Sequence, residues 1–154
     1  MVTKLAVKRG LVSVSIEAVT AIEASAAATW DVLVDTAAYG EWNPFVRRLD
    51  GEIAVGRRVA VDLSLNGRRV RMRPRITDLE GGRAFAWLGR VGLAGLFDGR
   101  HRFEIRPASD DTCELVQSET LSGLLVPFMR GLLTSTTPAG FVAMNDALKA
   151  RVER

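Results

Sequence analysis

Apolar and polar residues alternate along the first part of the chain and then change to a helical spacing. Residues 12–24 alternate and are rich in valine and isoleucine, which predicts a β-strand. Ser25 stands where a helix N-cap belongs, and apolar residues of 26–35 recur three and four positions apart, which predicts a first helix. Residues 39–44 predict a short second helix that ends at Asn43-Pro44, because proline disfavours helical backbone in the residue before it.

The hydrophobic period changes to two between residues 46 and 121. Residues 59–65 alternate, Asn66-Gly67 suits a type I′ hairpin turn, and residues 69–76 alternate again with arginine at every second position. Further turn signals, beginning with Gly81-Gly82, divide the rest of this region. We therefore expect about six strands in this region, joined by connections short enough to force antiparallel pairing.

Residues 124–152 return to a helical spacing. The apolar residues that recur at three and four positions are Phe141, Met144, Leu148 and Val152. Pro138 and Gly140 interrupt the pattern, because proline removes a backbone donor and clashes with the preceding turn. We expect one long C-terminal helix that is either kinked at this point or divided into two helical pieces.

The length and composition indicate one domain. The chain has 154 residues and contains no repeat, low-complexity tract or linker, so residues 1–154 are expected to form a single domain. A single cysteine and a short, basic N-terminus without a long apolar stretch predict a cytoplasmic protein. The most apolar window, GLLVPFMRGLL, is broken by Pro127 and Arg130, so no integral membrane association is expected.

The order of the predicted elements, a strand, two short helices, an antiparallel meander and a long helix, is that of the helix-grip fold. Three stretches closely resemble the SRPBCC superfamily, and in particular its polyketide cyclase/dehydrase-like branch. These stretches are AIEASAAATWDVLVDTAAYGEWNPF, WLGR with FDGRHRF, and QSETLSGLL leading to GFVAMNDALKARVE. The resemblance implies an α+β fold in which a curved antiparallel β-sheet wraps around a long C-terminal α-helix, with two short helices after the first strand.

The resemblance also implies an internal cavity between the sheet and the helix. Members of the superfamily bind lipids, sterols, polyketides or hormones there. Some catalyse cyclisation or dehydration, and others are interaction modules for a chaperone ATPase. Since a shared fold does not choose among these roles, the function has to be argued from the site.

Strand parity directs three polar side chains into this apolar interior. His101, the only histidine, shares the parity of the apolar residues on its strand, and Gln117 and Glu119 share that of the apolar residues on theirs. A turn near residues 109–110 places His101 opposite Gln117, with Glu119 one diagonal away. The three groups form either a satisfied core network or a polar anchor that binds a ligand or exchanges protons with it. On the second interpretation, ligand affinity changes with pH between about 5 and 8, where histidine normally titrates.

We expect apolar and aromatic residues to line the rest of the cavity. The predicted ligand-binding residues are Trp42, Met72, Trp87, Phe97, Gly99, His101, Phe103, Gln117, Glu119, Phe128, Leu132, Phe141 and Met144. The two tryptophans either stack on a flat ligand or fill the core. Phe128, Leu132, Phe141 and Met144 are expected to form the helical wall. His101 and Glu119 are the candidate catalytic residues if a reaction occurs.

The charge of the chain and the absence of metal-binding and phosphate-binding motifs limit the kinds of partner and cofactor that are expected. The net charge is +3, and the stripe of Arg69, Arg71, Arg73 and Arg75 predicts either a solvated sheet face or an anionic partner. No aromatic residues alternate with the arginines, so no nucleic-acid binding is expected. One histidine, one cysteine and no glycine-rich phosphate loop predict no metal site and no cofactor.

Three functions remain open. The first is a binding protein for a small hydrophobic molecule, and the second is a cyclase or dehydratase that uses the same cavity. The third is a protein-protein interaction module of the chaperone-ATPase-activator kind, whose interior is filled by side chains. A connected cavity of about 300 Å³ or more favours the first two over the third. The chain is expected to be a monomer or a homodimer.

Overall fold

A computed structural model describes residues 3–154 and has an α+β architecture, as predicted. Its elements, in chain order, are β1 (Lys4–Arg9), β2 (Ser13–Ile22), α1 (Ala26–Val34), a 3₁₀ turn (Thr36–Ala38), α2 (Tyr39–Trp42), β3 (Val46–Asp50), β4 (Ala60–Leu65), β5 (Arg68–Met72), β6 (Arg75–Glu80), β7 (Ala84–Val91), β8 (Phe97–Pro107), β9 (Cys113–Ser122) and α3 (Val126–Val152). Six strands form an antiparallel sheet of order β1-β2-β9-β8-β7-β6, and β3-β4-β5 form a second sheet.

The strand predicted at 12–24 is β2, and an edge strand that the sequence analysis did not identify precedes it. This strand, β1, pairs antiparallel with β2 from Lys4↔Val19 to Arg9↔Val14. Its residues are almost all exposed, and it pairs with a neighbouring strand on one edge only. Exposed edge strands carry little hydrophobic alternation, and that is the signal by which the other strands were predicted.

Local hydrogen bonds explain the two short helices. The Ser25 hydroxyl accepts from the backbone N–H of Ala28 at 3.1 Å, which confirms the predicted N-cap of α1. Beyond α2, the side-chain oxygen of Asn43 accepts from the N–H groups of Phe45 and Val46 at 3.0 and 2.9 Å. Asn43 thereby satisfies the backbone of the turn that leads into β3.

The predicted β-hairpin is present, but its second strand is shorter than expected. Asn66 and Gly67 have φ values of 51° and 76°, as both central residues of a type I′ turn require. The alternating run 69–76 is interrupted at Arg73-Pro74, so that β5 stays in the small sheet and β6 joins the large one. Pro74 has no N–H to donate to a strand ladder, which explains the change of sheet at this residue.

The C-terminal helix α3 is one continuous element from Val126 to Val152, so the alternative of two helical pieces is wrong. Pro138 lies inside it and costs the helix one backbone hydrogen bond. This cost is offset by burial, because the apolar stripe of Phe141, Met144 and Leu148 is completely buried against the sheet. Within residues 3–154, no helix is both long and apolar enough to span a membrane.

Gly140 explains how α3 and the chain after α2 come close together. A Cβ atom at this position would overlap the ring of Phe45. Phe45 in turn contacts Phe141, with ring centroids 5.6 Å apart. The interruption that Gly140 makes in the helical pattern is therefore a contact point for an aromatic side chain and not a helix end.

Candidate functional site

A cavity of about 570 Å³ lies between the two sheets and α3. Its apolar lining includes Phe45 and Pro74, which lie between elements, and residues of β4, β5, β7, β8, β9 and α3. The residues from these elements are Leu63, Leu65, Val70, Met72, Leu88, Val91, Phe97, Leu121 and Leu133. The volume falls within the ~300–1,000 Å³ that is typical of sites for small molecules.

Two glycines that pair with each other across β7 and β8 leave room for two side chains of the cavity wall. Gly89 and Gly99 are paired in the strand register, and both lie in the cavity wall. A Cβ at Gly99 would lie 3.2 Å from Glu119 Oε1, and one at Gly89 would lie 2.6 Å from the Met72 methyl group. The absence of side chains at these positions accommodates the glutamate carboxyl and the methionine side chain at the cavity wall.

Behind the cavity wall, a chain of hydrogen bonds connects β8, β9, α3 and β2. His101 Nε2 lies 2.9 Å from Gln117 Oε1, and Gln117 Nε2 donates to Asn145 Oδ1 at 2.7 Å. Asn145 Nδ2 donates to Thr20 Oγ1 at 3.1 Å and to the Ala18 carbonyl at 3.3 Å. All of these side chains are buried. Since both amide groups use their NH₂ as donor, Gln117 Oε1 must accept, and His101 Nε2 carries the proton.

This tautomer leaves the lone pair of His101 Nδ1 on the side of Glu119. The distance from Nδ1 to Glu119 Oε2 is 3.7 Å, too long for a direct hydrogen bond. Burial lowers the pKa of His101 to about 3, with the hydrogen bond to Gln117 opposing the shift. Burial also raises the pKa of Glu119 to about 8. Both side chains are therefore neutral at pH 7, and the Glu119 carboxyl is a proton donor.

The strand register differs from the one expected. His101 pairs with Glu119 and Phe103 pairs with Gln117, so Gln117 is the diagonal neighbour of His101. The reason is the connection between β8 and β9, which is five residues long and centred on Asp110. Burial places the pKa of His101 at about 3, below the range of about pH 5 to 8 in which histidine normally titrates. Glu119 is the group whose pKa lies near neutrality.

The structure divides the predicted ligand-binding residues into four groups. Those that line the cavity are Met72, Phe97, Gly99 and Glu119. Those that are buried behind it, in the core, are Trp87, His101, Phe103, Gln117, Phe141 and Met144. Trp42 is half-buried beside Tyr39, with ring centroids 5.3 Å apart, and does not line the cavity. Phe128 and Leu132, which are 87% and 60% exposed, do not form the helical wall as predicted.

The helical wall of the cavity consists of Leu133 and Thr137, which the sequence analysis missed. They lie eight and four residues before Phe141 and therefore continue its buried stripe. Extending the stripe through Pro138 would have found them. The expected interruption at Pro138 hid this periodicity.

A family model described as polyketide cyclase / dehydrase and lipid transport matches residues 13–153. The chain belongs to this family. The assignment confirms the resemblance on which the helix-grip fold was predicted. No curated protein sequence was found to match the chain.

Solved structures show the same fold as this family member. An aromatase/cyclase, Zhui from Streptomyces sp. R1128, is 18% identical with a TM-score of 0.75, and the match covers 92% of this chain and 94% of that one. A START superfamily protein from Mycobacterium smegmatis is 20% identical with a TM-score of 0.67, covering 90% and 97%. A point mutant of norcoclaurine synthase from Thalictrum flavum, in complex with a transition-state analogue, is 16% identical with a TM-score of 0.69, covering 95% and 98%.

Proposed function

We propose that this protein binds a small, largely apolar molecule in the cavity between its sheets and α3. The observation that carries the proposal is a cavity of about 570 Å³ whose walls are mainly apolar and in which, among residues 3–154, Glu119 is the one acidic residue. An apolar ligand in this cavity stabilises the complex by roughly 25 cal/mol for each Å² of apolar surface that is removed from water. The matching family, which includes lipid transport in its description, supports a role in binding.

Glu119 provides the polar contact of the proposed site. Its side chain is 14% exposed, toward the cavity, and in the part of the chain that the structure describes it has no hydrogen-bond partner. With a pKa of about 8, the carboxyl is protonated at neutral pH and donates a hydrogen bond to a carbonyl or hydroxyl oxygen of the ligand. The ligand is therefore a mainly apolar molecule with at least one oxygen acceptor.

Two neutral naphthalene dyes test this proposal. Prodan carries a carbonyl group, whereas N-phenyl-1-naphthylamine does not, and both fluoresce more strongly in apolar surroundings. We expect both dyes to bind the native protein. Glu119→Leu should lower the affinity for prodan about 5-fold, which corresponds to the net contribution of one hydrogen bond, and should leave the affinity for the other dye unchanged. Glu114→Leu, at the position of β9 that pairs with Arg106, is the matched control. Binding of either dye only after partial unfolding contradicts a native cavity.

A cofactor-independent cyclase or dehydratase is the second candidate. It is favoured by the protonated carboxyl in the cavity and by the family description, which names polyketide cyclisation and dehydration. In a dehydration, Glu119 donates its proton to the leaving hydroxyl group, which departs as water. The resulting carboxylate then removes the proton from the carbon next to the substrate carbonyl, which forms the double bond and restores the acid.

The enzyme proposal is tested with a simple β-hydroxyketone, 4-hydroxy-4-phenylbutan-2-one, whose dehydration product absorbs in the near ultraviolet. We expect the wild-type protein to accelerate this reaction, and Glu119→Gln to abolish the acceleration while still binding prodan, because the amide donates a hydrogen bond but no proton. If the wild-type protein binds prodan but does not accelerate the reaction, binding without catalysis is the better description. An interaction module with a filled interior is disfavoured by the volume of the cavity.

A further inference from the structure

Five arginines lie in the wall of the cavity. They are Arg58, Arg71, Arg73, Arg75 and Arg90, and all are exposed to solvent as well as to the cavity. The one acidic residue in the same wall, Glu119, is neutral at pH 7 because burial raises its pKa to about 8. The charge of the cavity wall is therefore strongly positive, although most of its surface is apolar.

Two of these arginines have a carboxylate partner outside the cavity. Arg90 Nε lies 3.3 Å from Asp98 Oδ1. Arg71 Nε lies 3.8 Å from Asp62 Oδ1. The same carboxylate also accepts a hydrogen bond from Arg69. The charges of Arg71 and Arg90 are thus at least partly compensated.

The other three, Arg58, Arg73 and Arg75, are not compensated. Within residues 3–154, none of their guanidinium groups lies within 4.0 Å of a carboxylate. Arg58 donates to the backbone carbonyl of Arg73 at 3.1 Å, and Arg75 donates to that of Gly56 at 3.2 Å. Backbone carbonyls carry no net charge, so three full positive charges remain at this edge of the cavity.

Backbone pairing brings the three arginines together. Arg58 and Arg75 are partners in an isolated antiparallel bridge. Arg73 and Arg75 flank the buried Pro74, and the carbonyl of Pro74 accepts from the N–H of Val59. Like charges held this close repel one another, and an anion between them removes the repulsion. Guanidinium groups also bind carboxylate, sulfonate and phosphate with paired hydrogen bonds.

The positive cluster and Glu119 lie at different ends of the cavity. Arg75 is on β6 and Glu119 is on β9, three strands away in the sheet, and strands are about 4.8 Å apart, so the separation along the sheet is about 14 Å. The apolar residues of β7 and β8, Leu88, Val91 and Phe97, lie between them. The site is therefore polar at both ends and apolar in the middle.

We propose that the ligand is an anionic amphiphile, whose carboxylate, sulfonate or phosphate group binds Arg58, Arg73 and Arg75 while its apolar body occupies the cavity. This inference rests on the proposed function, since it names the chemical class of the ligand in the same cavity. It also assigns a role to part of the arginine stripe, of which Arg71, Arg73 and Arg75 line the cavity and Arg69 binds Asp62.

A pair of dyes that differ by one sulfonate group tests the assignment. 1-Anilinonaphthalene-8-sulfonate is N-phenyl-1-naphthylamine with an added sulfonate. We expect the wild-type protein to bind the sulfonate more tightly, and the triple variant Arg58→Gln, Arg73→Gln and Arg75→Gln to weaken it by about 10- to 100-fold. Binding of the neutral dye should change less than about 2-fold, because the apolar contacts are retained.

The matched control removes three positive charges from the opposite edge of the large sheet. Lys4→Gln, Lys8→Gln and Arg9→Gln lie on β1, where all three side chains are exposed. This variant has the same net charge as the arginine variant, so equal weakening of the sulfonate dye in both would show general charge attraction and overturn the proposal. Failure of the neutral dye to bind the wild-type protein would instead overturn the proposed function itself.

Two further arms identify the source of the anionic group. Dodecanoate in solution is expected to displace the sulfonate dye from the wild-type protein and to do so much less well from the arginine variant. Vesicles of phosphatidylglycerol are not expected to bind the protein in a way that depends on these arginines. If the arginines are required for vesicle binding and dodecanoate does not compete, the cluster recognises a membrane surface and the proposal is wrong.

Discussion

Replacing Glu119 with glutamine is expected to change how the stability of the protein depends on pH. The Glu119 carboxyl lies between His101 on β8 and the arginine-lined cavity, and the backbone of Glu119 pairs with that of Ile16 on β2. Burial raises its pKa from 4.5 to about 8. The native state therefore holds a proton on Glu119 that the unfolded state releases between these two values.

The sign and size of the effect follow from this difference. The stability that comes from protonated Glu119 is fully present below pH 4.5 and is lost as the pH rises to about 8. A difference of about 3.5 pH units, at about 1.4 kcal/mol for each, corresponds to about 5 kcal/mol. Because the carboxyl is 14% exposed toward the cavity, water there solvates part of its charge, and this figure is an upper bound.

His101 has the opposite effect on stability. Burial lowers its pKa from 6.5 to about 3, so its contribution is present above 6.5 and is lost as the pH falls toward 3. Between pH 4.5 and 6.5 the native state holds one proton on Glu119 and the unfolded state holds one on His101. In this interval the pH dependence of stability that comes from Glu119 cancels the one that comes from His101. The stability that the two residues contribute together is therefore constant there.

Urea unfolding of both proteins across the range from pH 4.5 to 8 measures the effect. The free energy of unfolding of Glu119→Gln minus that of the wild type should rise by up to about 5 kcal/mol, since all other groups cancel. Glu114→Gln controls for the loss of a carboxylate from the same strand. A difference for Glu119→Gln that varies by less than about 1 kcal/mol would show that Glu119 is ionised in the native state and would contradict a pKa raised by burial.

Four further variants can be measured by the same unfolding assay. Phe141→Ala should lower the free energy of unfolding by ~3–5 kcal/mol, because the Phe141 side chain is completely buried. Phe128→Ala, at an exposed position, should lower it by less than ~0.5 kcal/mol. Equal losses of stability in the two variants would contradict the placement of α3. Gly140→Ala should destabilise by ~1–3 kcal/mol, because its Cβ overlaps the Phe45 ring, and a neutral result would disprove that contact. Gln117→Leu should cost ~1–3 kcal/mol by removing a buried hydrogen-bond partner, and an unchanged stability would contradict the network.

Elements with a strong local signal were predicted well from the sequence. The Ser25 cap, the turn at Asn66-Gly67 and the helical spacing of the apolar residues from Phe141 onward can all be recognised within a few residues of sequence. Inward orientation of His101 and Glu119 followed from strand parity, since a side chain on a strand can face only two ways. The edge strand β1 was missed because its exposed residues carry no such alternation.

The candidate site was predicted only in part, because its errors come from distant contacts. The register between β8 and β9 depends on where the turn is centred, and a centre at Asp110, one residue later than expected, shifts the partner of His101 by two residues, from Gln117 to Glu119. The helical wall was misplaced because burial of α3 keeps the helix continuous through Pro138. The change of sheet at Pro74 brings Arg73 and Arg75 to the cavity, which an alternating run of residues cannot show.

The family, the order of the main elements and the inward direction of His101, Gln117 and Glu119 could be predicted from the sequence, because these depend on local periodicity and on recognisable motifs. Which of these three side chains contacts the cavity depends on how the sheets and α3 pack together. His101 and Gln117 are closed off within a hydrogen-bonded core, whereas Glu119 faces the cavity beside Gly99. Exposure and charge compensation are properties of packing between elements distant in the chain, and for this reason the neutral Glu119 and the unpaired arginines became visible only in the folded protein.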